Sequence, residues 1–146
     1  MSRHVVDASV IIKWFVEEIH ADRARELQDD QYELLAPDLL WPESGNILWK
    51  KVRRGELMAH EARLICTGLA KQPIDIFPSS LVLEPALEIA LETGRTVYDS
   101  CYLALAMLSE CQLVTADQRL VNSLQGSRYA RVVLWVADIP REFDQA

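Results

Sequence analysis

The chain reads as an α/β protein, a central parallel sheet with helices on both faces, and three features of the sequence predict it. Short runs rich in β-branched and other apolar residues (Val5-Val6, Tyr32 to Ala36, Ile74 to Phe77, Leu113 to Thr115, Arg131 to Val136) suit buried strands. The segments between them place apolar residues at helical spacing. Strand and helix then alternate along the whole length, with no linker, repeat or low-complexity stretch, as parallel strands joined by crossover helices require.

The first helix is expected over Ala8 to Glu17, where Val10, Ile11, Trp14 and Phe15 share a side, and the second over His20 to Asp30. Pro37 to Arg54 carries a longer helical pattern containing Pro42. Proline suits only a helix's first turn, so this helix starts near Trp41 or kinks there, and Gly55 ends it. Ala59 to Lys71 is amphipathic and stops before Pro73. Ser79 or Ser80 is placed to cap a helix through Leu91, closed by Gly94. Thr96 to Cys111 is a helix rich in Leu and Ala, and Asp117 to Leu124 a short one.

With 146 residues the chain makes one domain, residues 1–146, with its core over about 3–136 and a loose tail over 139–146. Cys66, Cys101 and Cys111 form no CxxC pair and are odd in number. With no secretory signal in view they read as reduced thiols of a cytoplasmic protein. The run Val10 to Val16 is too short for a membrane span and is broken by Lys13. The net charge of −7 argues against broad non-specific nucleic-acid binding, which needs positive surface. It leaves room for a nuclease whose acids a metal neutralises, and for a basic partner.

Four acids occupy comparable places: Asp7 after the first strand, Glu43 early in the Pro37–Arg54 helix, Asp99 in the first turn of the Thr96–Cys111 helix, and Asp117 after the strand ending at Thr115. Singly, each has an ordinary explanation as a helix cap, a capping-box residue or a first-turn acid. Together they say more. Asp7 and Asp117 leave the sheet at its carboxyl edge, where open α/β sheets bind ligands. The helix after Asp99 offers little else that is polar. Carboxylates gathered there repel one another, and a hard divalent cation, Mg²⁺ or Mn²⁺, relieves the repulsion. The absence of clustered Cys or His excludes a structural zinc site.

The stretches VVDASVI, WPESGNIL, TVYDSCYLALA and LVTADQRL, in this order and spacing, resemble the PIN-domain ribonucleases and within them are most similar to the VapC toxins of toxin–antitoxin pairs. The likeness runs from about Arg3 to about Val136. It implies that Asp7, Glu43, Asp99 and Asp117 are metal-site acids, and that Ser9 and Thr115 are hydroxyl residues that shape the site. It also implies a homodimer and a cognate antitoxin that covers the active site. Members are often basic or near neutral, so the acidity of this chain is a departure and favours a narrow substrate.

The implied reaction is hydrolysis of an RNA phosphodiester by metal-activated water, the work of an endoribonuclease. It needs no histidine base, and His4, His20 and His60 are scattered. Lys50 and Arg54 lie seven and eleven residues after Glu43, so helical geometry puts them within roughly 20° of its face, where they can contact phosphates or, equally, form a solvated last turn whose cations suit the helix dipole. Arg95 and Arg119 are weaker candidates. Trp14, Trp41, Trp49 and Trp135 read as core or interface, Tyr98 and Tyr102 as packing residues, and Cys66 as a small buried hydrophobe. The competing reading is a catalytically inactive PIN-like module that binds RNA or a protein. A phosphoacceptor receiver fails for lack of an acidic neighbour to Asp7 and of a lysine after the last strand. A DxD phosphotransferase fails at Ser9.

Overall fold

The computed structural model describes residues 2–141. Five strands form one parallel sheet: β1 (Ser2–Val6), β2 (Tyr32–Pro37), β3 (Ile74–Phe77), β4 (Gln112–Thr115) and β5 (Val133–Trp135), in the spatial order β3-β2-β1-β4-β5. Seven helices surround it among the described residues: α1 (Ala8–Ile11), α2 (Ala21–Arg25), α3 (Leu40–Arg53), α4 (Ala59–Leu69), α5 (Leu83–Thr93), α6 (Val97–Leu108) and α7 (Gln118–Leu124). Neighbouring residues of a strand point to opposite faces, and Val5 and Val6 of β1 are both fully buried, as are Leu113 and Val114 of β4. The middle of the sheet is therefore covered on both sides, which is why these strands read as continuous apolar runs.

The chain winds outward from β1 through β2 to β3, then returns to the other side of β1 with β4 and β5. The winding direction reverses between β1 and β4, whose carboxyl ends stand side by side with Val6 opposite Val114. This is the switch point at which such sheets bind ligands. The residues that follow each strand there are Asp7 and Ala116-Asp117.

Several elements are shorter or tighter than the periodicity predicts. The first helix spans only Ala8–Ile11 and continues as a 3₁₀ turn over Ile12–Trp14. The Lys13 ammonium donates to the Ile19 carbonyl at 2.8 Å and to Glu18 at 3.2 Å, and the Trp14 indole donates to the Ala24 carbonyl at 2.8 Å, so the chain folds back over this turn. The second helix likewise ends at Arg25 and tightens over Glu26–Gln28. Neither Ser79 nor Ser80 caps a helix. They lie in a 3₁₀ turn, and α5 begins at Leu83 without a side-chain cap. Pro42 does sit in the first turn of α3, and Gly94 closes α5 with φ +77.

The last strand covers Val133–Trp135 rather than Arg131 to Val136. The core reaches past 136: Ile139 is 1 % exposed and the Arg23 guanidinium donates to its carbonyl, so the expected tail begins later than 139. Residues 142–146 of that tail lie outside the described residues. Among the described residues no helix is long and apolar enough to cross a membrane.

Candidate active site

Asp7 ends β1 and caps α1, and its carboxylate is the hub of the switch point. Oδ1 accepts from the Ser9 hydroxyl at 2.5 Å and from the Val10 amide at 3.3 Å, and Oδ2 accepts from the Thr115 hydroxyl at 2.5 Å. Each hydroxyl accepts in turn from the β4–α7 connection: Ser9 from the Ala116 amide at 3.0 Å and Thr115 from the Asp117 amide at 3.0 Å. Two hydroxyls thus fix Asp7 against the start of α7. Burial drives the Asp7 pKa up to about 6 although Ser9, Thr115 and Val10 hold it down, and the charge of Asp117 adds to the rise. Asp117 caps α7, its Oδ1 accepting from the Arg119 and Leu120 amides at 3.0 and 3.3 Å.

Glu43 reaches the same place from the first turn of α3. Its Oε1 is buried and has no hydrogen-bond partner among the described residues, and the same holds for the Tyr102 hydroxyl of α6. The hydroxyl stands near enough to oppose the rise in the Glu43 pKa, but the two groups make no hydrogen bond of good geometry. Burial, then the charges of Asp7 and Asp99, lifts that pKa to about 7. Burial and the same three acids push the Tyr102 phenol well above its ordinary value. Glu43 is therefore within electrostatic reach of Asp7 and Asp99, and Asp7 within that of Asp117.

Asp99 sits three residues into the α6 cap, its amide donating to the Thr96 hydroxyl at 3.1 Å. One of its oxygens accepts from the Arg95 guanidinium at 2.9 Å. Arg95, a candidate phosphate contact, is thus spent on an acid of the cluster. Among the described residues no three His, Cys, Asp or Glu side chains stand as a ready-made cation cage. Asp99 is turned toward Arg95, and Asp117 toward the amides of its own helix. The donor set nevertheless fits a hard cation: all oxygen, two carboxyls raised by burial, and one buried oxygen, Glu43 Oε1, with nothing to bind.

The basic residues separate. Lys50 lines a groove with Glu43, whereas Arg54, just past the end of α3, lines another with Glu17 and Glu18. Arg119 is exposed. The histidines stand apart: His4 packs edge-on against Tyr32 and His20 against Trp135. Tyr102 is buried as expected, but Tyr98 is 67 % exposed and packs on nothing that covers it. Cys66 is exposed, a correction to its reading as a buried hydrophobe: α4 buries only Leu69, and Leu64 beside Cys66 is 70 % exposed. Sequence reasoning missed Asn46, one turn along α3 from Glu43 and in the same groove, although its i, i+3 spacing from Glu43 is visible in the sequence.

A PIN-domain family model matches residues 4–122. The chain belongs to the PIN-domain family. It is 36 % identical over 120 residues to "Ribonuclease VapC3" of Pyrobaculum aerophilum, covering 81 % of this chain and 92 % of that one. It is 34 % identical over 86 residues to "Exonuclease VapC9" of the same organism, covering 58 % of this chain and 62 % of that one. The crystal structure of PAE2754 from Pyrobaculum aerophilum superimposes with a TM-score of 0.66 at 27 % identity, covering 93 % of this chain and 85 % of the other. A toxin–antitoxin complex from Klebsiella pneumoniae gives 0.61 at 20 % identity, covering 93 % and 99 %, a likeness of fold alone. The PIN match takes in Asp7, Glu43, Asp99 and Asp117.

Proposed function

We propose that this PIN domain is the toxin of a toxin–antitoxin pair and an endoribonuclease that hydrolyses an RNA phosphodiester with the help of Mg²⁺ or Mn²⁺. The observation that carries this reading is the buried Glu43 Oε1, without a hydrogen-bond partner among the described residues and within the field of Asp7 and Asp99, at the switch point of a chain 36 % identical to a named ribonuclease.

Asp7, Glu43, Asp99 and Asp117 would hold the cation. Bound there, it would acidify a water and stabilise charge on the phosphoryl oxygens. Ser9 and Thr115 orient the Asp7 carboxylate and leave it little rotational freedom. Asp99 must part from Arg95 or share its second oxygen, and a freed Arg95 would face the phosphate as a guanidinium donor. Lys50 contacts the phosphate chain along the groove that begins at Glu43.

Exposed apolar residues support partners. Ile19, Trp49, Met58 and Leu64, exposed at 74, 53, 63 and 70 %, are each available for antitoxin contacts. The α5 stripe Leu83, Leu87 and Leu91, exposed at 54, 47 and 72 %, offers one for a second copy in a homodimer.

The test is expression of the chain alone and with its genomic neighbour. Growth arrest that the neighbour relieves and Asp7→Asn abolishes is the expected result. Arrest that persists in Asp7→Asn contradicts the reading. The Arg95–Asp99 ion pair favours a second reading, a non-catalytic PIN module that binds RNA or a protein. RNA cleavage by the wild type that EDTA stops rules it out.

A further inference from the structure

Glu43, Asn46 and Lys50 follow one another at i, i+3 and i+7 on one side of α3, opposite the exposed ring of Tyr98. With Leu39, Pro42 and Ile47 they line a groove of about 340 Å³. That size lies at the small end of ligand sites, which start at roughly 300 Å³. The groove opens at the candidate metal site, since Glu43 belongs to both, and ends at a cation about 10 Å further along the helix at 1.5 Å per residue.

Its groups are differentiated. Tyr98 presents an aromatic face that is 67 % exposed and directly precedes Asp99. Asn46 is exposed and carries both a donor and an acceptor, the pairing that reads a base edge. Lys50 is exposed and carries a positive charge. Among the described residues Tyr98 lies outside the buried core and the residues packed against it.

We propose that this groove is a nucleotide subsite. The base next to the scissile phosphate stacks on Tyr98, Asn46 reads its edge, and Lys50 takes the following phosphate. The inference rests on the ribonuclease reading for its ligand class. Two features favour a nucleotide over a peptide. The groove continues from the site where a phosphate would be cut, and it places one cation at the far end, in a protein of net charge −7 that has few to spare. Stacking on an aromatic ring is tolerant of base identity, whereas the carboxamide is selective. The groove would therefore supply both the affinity and part of the narrow specificity that an acidic nuclease needs.

The experiment titrates the four nucleoside 3′,5′-bisphosphates, and a ribose 3′,5′-bisphosphate lacking a base, into isotope-labelled full-length protein followed by NMR. The expected result is chemical-shift change at Asn46, Lys50 and the Tyr98 ring, with one base preferred. Tyr98→Ala should weaken the nucleotides about tenfold, within the range of base stacking, and leave the base-free compound unchanged. Tyr98→Phe should bind as the wild type, which keeps a loss in Tyr98→Ala from being read as damage to the fold. Shifts confined to the neighbourhood of Asp7 and Asp117, equal binding by Tyr98→Ala, or no binding by any nucleotide overturns the subsite. So does an antitoxin that moves these resonances when nucleotides do not. The ribonuclease reading is scored separately: EDTA-sensitive cleavage of RNA by the wild type upholds it even if every nucleotide misses the groove.

Discussion

Two glutamates, Glu43 in α3 and Glu18 packed against it, meet burial in opposite ways. Glu18 accepts from Lys51 at 2.8 Å and from Lys13 at 3.2 Å. Burial pulls its pKa up, the two lysines pull harder, and the net displacement is downward. Glu43 has no ion-pair partner among the described residues; burial and the charges of Asp7 and Asp99 outweigh the nearby Tyr102 hydroxyl and displace it upward to about 7. The same chain thus pairs one carboxylate with two lysines and leaves another facing like charges. Stability alone does not ask for the second arrangement. The arrangement fits the proposed cation site, where an outside cation would offset charges of like sign.

The contrast breaks most visibly in catalysis. Replacing Asp7 by Asn removes one charge and keeps the shape, and should lower RNA cleavage by about a thousandfold, the loss of several kcal/mol of transition-state stabilisation. Gel assays of the variant against wild type check this, with circular dichroism unchanged. The Glu18→Gln variant, at the neutralised site, should cleave as the wild type does.

In stability the order reverses. Glu18→Gln leaves the buried Lys13 and the half-buried Lys51 with a weaker partner and should cost about 1–2 kcal/mol, discounted because Glu18 is partly exposed. That lowers the Tm of the metal-free protein by roughly 3–8 °C. Glu43→Gln removes a charge that nothing balances and should raise the metal-free Tm at pH 8 by a few degrees. A lower Tm in Glu43→Gln would mean that the carboxylate stabilises the fold after all.

A further effect is expected in pH dependence, and its sign differs between the two sites. Asp7 and Glu43 have pKa values of about 6 and about 7 in the fold, above the unfolded values near 4. Between those limits the folded state holds more protons. The stability these groups contribute is complete below about pH 4 and is lost as pH rises through 6 to 7. Glu18 is displaced downward, so its contribution is present at neutral pH and fades as pH falls through and below the ordinary carboxylate range. Thermal melts of metal-free protein should therefore lose stability from pH 5 to pH 8. The Glu43→Gln variant should flatten that slope and Glu18→Gln should leave it in place.

Much of this was legible from the sequence, and the limits have physical reasons. The alternation of strands and helices forces a parallel sheet, and a parallel sheet brings the residues after β1 and β4 to one edge. Asp7, Thr115 and Asp117 therefore fall together without any knowledge of coordinates. Pro42 fixes the start of α3 and so the place of Glu43. The periodicity of Val10, Ile11 and Trp14 reports which side is apolar, not whether the backbone winds as α or 3₁₀, and the first helix came out shorter. Periodicity also does not say whether another element covers an apolar face, and so Cys66 and Tyr98 came out exposed. The Arg95–Asp99 pair has the i, i+4 spacing of a helical ion pair, but which carboxylate a guanidinium selects depends on rotamers that spacing does not set. Arg54 shares a helical face with Glu43 on an ideal wheel, yet α3 ends at Arg53 and the next residue turns toward Glu17 and Glu18.

Calorimetric titration of Mn²⁺ into the metal-free protein at pH 8 bears most directly on the four acids. Wild type and Glu18→Gln should bind with the same Kd, and Asp7→Asn and Glu43→Gln at least about tenfold more weakly. If the wild type takes up no Mn²⁺ at millimolar concentration, or if Asp7→Asn and Glu43→Gln bind as tightly as it does, then the carboxylates gathered at the switch point do not form a cation site.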